Sequence, residues 1–214
     1  MSTPILRSPR GSRLSRAAAE KSRANPLVPD LPPGGSLLSR GRAFRSLKSR
    51  RIIGVDPGLA SSGWGVIEFD RQRLRYVAHG CIETKADRPR AERLFFIYEG
   101  IRGVLEAYRP SESAIETLYF GRNKTSAIPV AEARGVLSMA LAEWGLPVWE
   151  FSPNVIKQAV TGSVKVDKQQ IQEFIRILLG LPDIPRPDHA ADALGAAICC
   201  AHTTGSAATA GRAP

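Results

Sequence analysis

The stretch RIIGVDPGLASSGWGVIEF, residues 51–69, decides the fold. Its first five residues form an apolar run that stops at Asp56-Pro57-Gly58, which reads as a buried strand running into a turn. Gly63–Phe69 is a second strand. A polar turn over Asp70–Arg73 and a third strand over Leu74–Thr84 complete an antiparallel meander. The first strand therefore delivers a carboxylate, Asp56, to the point where sheet gives way to loop. That is where α/β sheets usually place their working groups.

Downstream, the pattern changes to alternating helices and strands. Leu94, Ile97, Tyr98, Ile101, Val104, Leu105 and Tyr108 fall at helical spacing, which predicts a helix over 91–108, ended by Pro110. Ser113–Glu116 reads as a short buried strand with Glu116 at its tip. A helix over 126–144 turns Val130, Val136, Leu137, Ala140 and Leu141 inward. Pro147–Phe151 is a further strand. Ser152 can cap a short helix that begins at Pro153. A helix over 168–179 buries Ile171, Phe174, Ile175 and Leu178, and a last one runs from Pro187 to about His202. Three meandering strands followed by alternating elements imply an α/β fold, a mixed five-stranded sheet with helices on both faces.

The last helix opens with Pro187-Asp188-His189-Ala190-Ala191-Asp192. His189 and Asp192 are three residues apart and share a helix face, and Asp188 and Asp192 are four apart. The alanines around them let the helix lie close to the sheet, which would bring Asp192 near Asp56 and Glu116. An acid among alanines in a buried helix is costly unless paired or metal-bound. Three such carboxylates repel one another and repel phosphate. Two Mg2+ ions, with Mn2+ as substitute, would reverse that field, because hard oxygen ligands select these cations. A pair of ions roughly 3.5–4 Å apart suits phosphodiester hydrolysis. His189 is either a metal ligand or a base.

The net charge of +10 points to nucleic acid but is unevenly placed. Residues 1–50 carry 11 of the 30 basic residues and 2 of the 20 acidic ones, leaving 19 and 18 to the rest. The body is near neutral, so a nucleic-acid surface on it must come from local clustering. Residues 1–50, with PLVPDLPPGGSLL at 26–38, show no sustained apolar period and are expected to be a disordered basic extension. Three readings of the extension stay open: a non-specific basic arm, an organelle transit peptide or an inert start. Residues 51–203 form the expected nuclease domain and 204–214 a flexible tail. Cys81, Cys199 and Cys200 offer no disulfide framework and no zinc spacing. No apolar run reaches the length of a membrane span.

Taken in order, IIGVDPGLASSGWGVIE, GCIETK, AIETLYFGRN, ARGV, IKQAVTG, DKQQIQ and DHAADALGAAICCAH resemble a RuvC-type crossover junction endodeoxyribonuclease over about residues 51–202. The resemblance implies an RNase H-like fold and a homodimer. It implies resolution of Holliday junctions by paired symmetric nicks, in recombination and repair, leaving 5′-phosphate and 3′-hydroxyl ends. It also implies dependence on Mg2+ or Mn2+, partnership with a branch-migration motor of the RuvA–RuvB kind, and a bacterial cytoplasmic protein. Asp56, Glu116 and Asp192 take the positions of the metal-ligating acids, with His189 where the family holds Asp or His, and Asp188 falls one residue early, beside that set. Tyr119 and Phe120 match the aromatic positions that meet junction bases. Arg122 and Lys124 would clamp phosphate beside them. Lys157 and Lys168 match lysines near the DNA backbone. On their residues alone, Tyr119 and Phe120 read equally as core aromatics, and the lysines as solvated surface. The chain departs from the family pattern at Val164, usually glycine, at Val166, usually small, and at Glu132, often glutamine.

Three other readings compete. A strand ending in D-x-G also opens sugar-kinase and actin-like folds, but this chain is short for their paired domains and lacks a second phosphate loop. A catalytically silent junction-binding protein would use the basic and aromatic loop without cutting. An RNase H-like nuclease acting on structured RNA would keep the acids and change the substrate.

Overall fold

The computed structural model describes residues 49–117 and 124–207, with the backbone alone for 124–126 and 205–207. The elements run β1 (Arg50–Asp56), β2 (Ser61–Asp70), β3 (Arg73–Glu83), α1 (Arg90–Tyr108), β4 (Glu112–Glu116), α2 (Lys124–Glu143), β5 (Val148–Phe151), α3 (Pro153–Thr161), α4 (Lys168–Leu179) and α5 (Asp188–Ala207). The strands form one mixed sheet of order β3-β2-β1-β4-β5. β1, β2 and β3 pair antiparallel, while β4 is parallel to β1 and to β5. These are the ten elements and the mixed sheet that the sequence pattern implies.

The alternation of β1 builds two cores. Ile53 and Val55 face α1 and α2, where they meet Ile97, Ile101, Leu105, Leu137 and Leu141. Ile52 faces the other way, toward α3, α4 and α5, with Ile156, Ile175, Leu194 and Ile198. Covering both faces makes β1 and β4 the inner strands, and their buried apolar runs follow from that.

Local chemistry fixes the helix ends. Ser152 accepts a hydrogen bond from the Val155 amide and Pro153 follows as the first helical residue of α3. Asp167 and Gln170 form a reciprocal capping box at the start of α4, and Gly180 in the left-handed region closes it.

Two expectations need correction. Phe174 is not inward: it is 40% exposed, and Gln172 takes a buried place on α4. The last helix does not end near His202 but runs to Ala207. Thr203 and Thr204 look like helix terminators, yet the Thr204 hydroxyl bonds back to the Cys200 carbonyl at 2.7 Å and reaches Glu112 at 3.1 Å. The first satisfies the hydroxyl within the helix, and the second ties this turn of α5 to β4.

Candidate metal centre

Backbone closeness brings the candidate residues together. α5 crosses the sheet over β1 and β2, where Gly54 and Gly63 point at it. A Cβ on Gly54 would stand 1.9 Å from the Ala193 carbonyl oxygen, and one on Gly63 would stand 2.0 Å from that of His189. Neither position can hold any side chain with α5 where it is. Ala190, Ala193 and Ala197 complete the fit from the helix side, all fully buried. The first turn of α5 is thereby pressed against the tip of β1.

Asp56 ends β1, and Glu116 ends the neighbouring parallel strand, one residue past the Val55–Ile115 pair. Ligand atoms of Asp56, His189 and Asp192 all lie within 4.8 Å of one another. His189 Nδ1 is 2.6 Å from Asp56 Oδ2. Glu116 stands outside this tight group, beside it. The loop after Asp56 is pinned by Ser62 Oγ donating to the Gly58 carbonyl at 2.7 Å and by Thr84 Oγ1 donating to that of Leu59.

The electrostatics are those of crowded acids. Two unit charges 4.8 Å apart repel by roughly 3–4 kcal/mol at an effective dielectric of about 20. Burial, then the charges of Asp56 and Asp192, push Glu116 up to about 7. Burial, then Asp56, also raises Asp192. The hydrogen bond to Asp56 raises His189 and outweighs the opposing effect of burial. Burial pulls the Lys168 ammonium down, but Asp192 and Asp188 more than offset it and its pKa ends raised. The shifts of Glu116, Asp192 and His189 all favour the protonated forms of these groups, so binding of a divalent cation would be coupled to proton release. Its donor set, carboxylate oxygens and one imidazole, suits such an ion, and the residues therefore fit a metal.

Both expected lysines reach this region. Lys168 Nζ lies 3.3 Å from Asp192 Oδ2 and 3.2 Å from Asp188 Oδ2. Lys157 is close enough to Glu116 to favour its charged form, and its Nζ donates to the Val166 carbonyl at 3.4 Å. That bond and the Thr161 hydroxyl, whose one hydrogen has the Lys157 and Ser163 carbonyls at 2.9 and 2.8 Å as acceptors, shape the turn containing Val164. Glu132 is met by Arg90 at 3.4 Å. Tyr119, Phe120 and Arg122 lie outside the described residues, as does the side chain of Lys124. The reading of the sequence missed Gln172, whose amide donates to Asp188 at 3.1 Å. A polar residue inside the apolar period of α4 was the available signal.

Acids gathered at the tips of adjacent parallel strands, with more from a helix packed across the sheet, define a nuclease of the RNase H-like class. A profile of the family described as crossover junction endodeoxyribonuclease RuvC matches residues 52–200. The chain belongs to that family. It is 50% identical to the crossover junction endodeoxyribonuclease RuvC of Treponema denticola over 73% of this chain and 89% of the relative. It is 49% identical to that of Chloroflexus aurantiacus over 72% and 93%. Among solved structures, Thermus thermophilus RuvC in complex with a Holliday junction substrate superposes with a TM-score of 0.70 at 31% identity, covering 74% of this chain and 96% of that one. A yeast mitochondrial Holliday junction resolvase shares the fold, with a TM-score of 0.53 at 12% identity, over 75% and 82%. Among the described residues, no helix is long and apolar enough to cross a membrane.

Proposed function

We propose that this protein resolves four-way DNA junctions by paired, metal-dependent nicks, in recombination and repair. The observation that carries the reading is the convergence of Asp56, His189 and Asp192 within 4.8 Å, with Glu116 at the adjacent strand tip. The substrate assignment is supported by the Thermus thermophilus relative, whose structure holds a Holliday junction. Asp56, Glu116, His189 and Asp192 would hold two Mg2+ ions, or Mn2+, which supply charge neutralisation and Lewis acidity at the phosphodiester.

The chain's own residues do the rest. Asp56 and Asp192 orient the reacting phosphate by fixing where positive charge sits. Glu116, at the tip of the strand beside Asp56, would complete the set that holds the ions, and the attacking water gives its proton to bulk water or to His189. As the water oxygen bonds to phosphorus, the bond to the 3′ oxygen breaks, leaving a 5′-phosphate and a 3′-hydroxyl. His189 keeps its imidazole toward Asp56, so it serves as a ligand or as a proton carrier on that side. Lys157 and Lys168 supply positive charge where the acids would otherwise repel the backbone. Tyr119, Phe120, Arg122 and Lys124 belong to the segment that would meet the junction bases and their phosphates.

Two copies are needed for symmetric nicks. Ile128 and Met139 sit on one face of α2 and are 59% and 58% exposed, which supports a homodimer. Partnership with a branch-migration motor and residence in the bacterial cytoplasm rest on likeness to the bacterial relatives.

The test is cleavage of a synthetic mobile four-way junction with Mg2+, with Asp192→Asn as control. Symmetric nicks by the natural chain and none by the variant are expected. Binding without nicking would favour a silent junction-binding protein, and preference for an RNA hairpin would favour the structured-RNA reading.

A further inference from the structure

A cation already stands against the acids. The Lys168 ammonium bridges Asp188 and Asp192, at 3.2 and 3.3 Å. Asp192 belongs to the metal-holding group, and Asp188 does not. A divalent cation that takes Asp192 through Oδ2 displaces this ammonium from one of its two partners, and one that takes Oδ1 repels it from the same carboxylate. The other partner is held in place: Gln172 Nε2 donates to Asp188 Oδ1 at 3.1 Å, leaving Oδ2 to the lysine. Gln172 is only 9% exposed, and a buried amide is costly without its hydrogen bond. Lys168 itself is the first residue of α4, where the capping box of Asp167 and Gln170 fixes the origin of its side chain.

We propose that Asp188 is a positioning residue for Lys168: it is the anchor to which the ammonium withdraws when Asp192 takes a divalent cation. This rests on the metal-dependent reading above. With the anchor, Lys168 yields Asp192 to the metal yet stays at the edge of the site, where it meets a phosphate. Without it, the ammonium has Asp192 alone and obstructs the metal.

The experiment is titration of the full-length protein with Mn2+ alone, followed by calorimetry and by the free-Mn2+ electron paramagnetic resonance signal, with no DNA. About 0.3 M KCl shortens the screening length to roughly 5–6 Å and suppresses the through-space effect of Asp188. Lys168→Met removes the competitor and should tighten Mn2+ binding roughly two- to fivefold, the range of ion pairs this exposed. Asp188→Asn should weaken it by a similar factor. In the Lys168→Met background, Asp188→Asn should change little, because no ammonium remains to be anchored. Equal weakening in both backgrounds would overturn the proposal, since Asp188 would then act on the metal itself. So would no effect in either. If the natural chain binds no Mn2+ at all, the metal-dependent reading fails first, and that outcome is distinct from any pattern among the variants.

Discussion

The same three elements meet twice in this molecule, and the two meetings are opposites. At the start of β1, Arg50 donates to Glu112 of β4 at 3.1 Å, to Thr204 of α5 at 2.5 Å and to the Ala201 carbonyl at 2.8 Å, and lies over the Phe69 ring. Every charge there has an answer. At the far end, β1 offers Asp56, β4 offers Glu116, and α5 offers His189 and Asp192, with the Lys168 ammonium the one cationic group bonded to Asp192 among the described residues. One end spends its polar groups on holding the fold together. The other leaves them underpaired, and that deficit is what a divalent cation can satisfy.

The contrast should break most visibly at the acid end. Asp56→Asn should lower junction cleavage by at least about 100-fold, since even residues that merely support metal ligands cost 10–100-fold. Junction binding in a gel-shift assay should persist, and the metal-free protein should melt no lower, because one of the repelling charges is gone. Normal nicking would remove Asp56 from the chemistry.

Gly63→Ala should abolish the distinction between the two ends. Its Cβ would force α5 off the sheet, costing about 1–3 kcal/mol or more in denaturant unfolding, and Mn2+ affinity should fall with it. Glu112→Ala strikes only the saturated end. It should cost about 1–3 kcal/mol of stability, the scale of hydrogen bonds to charged groups, while cleavage at a permissive temperature stays within about twofold of the natural chain. A large loss of cleavage in still-folded protein would show that the two ends are coupled.

A further effect is one of pH. Glu116 binds its proton more tightly folded than unfolded, with its pKa moved from the ordinary 4.5 to about 7. The native state therefore holds more protons in that window, and metal-free stability should fall as pH rises through it. Asp192 shifts the same way. The raised pKa of His189 extends the loss above its ordinary 6.5. Melting temperatures measured between pH 4.5 and 8 should show this decline, and Mg2+ should flatten it. A rise instead would mean that the acids are already neutralised.

How far sequence alone reached differs between these ends. Asp56 and Glu116 stand out because each closes an apolar run, and α5 because His189 and Asp192 sit among alanines. The flush packing of α5 follows from those alanines, but Gly54 and Gly63, which receive the helix, gave no periodic signal and pass for ordinary strand residues. The Arg50 cluster joins residues 62 and 154 apart in the chain, a separation no local pattern encodes. On α4 the apolar period placed Phe174 inside, whereas the helix turns Gln172, Ile175 and Leu179 to the core, and Phe174, two residues from Gln172, falls on the other side. The meeting of Lys168 with both Asp188 and Asp192 likewise depends on how α4 and α5 cross.

The helix that lies directly on glycine has a consequence for anyone wishing to retune this protein. The spacing between His189 and Asp56 is set by main chain resting on main chain, so shrinking neighbouring apolar side chains cannot draw the helix closer to the sheet. Selectivity among ions can be altered by exchanging the donor groups themselves, whereas the distance at which they stand is as hard to adjust as the thickness of the polypeptide.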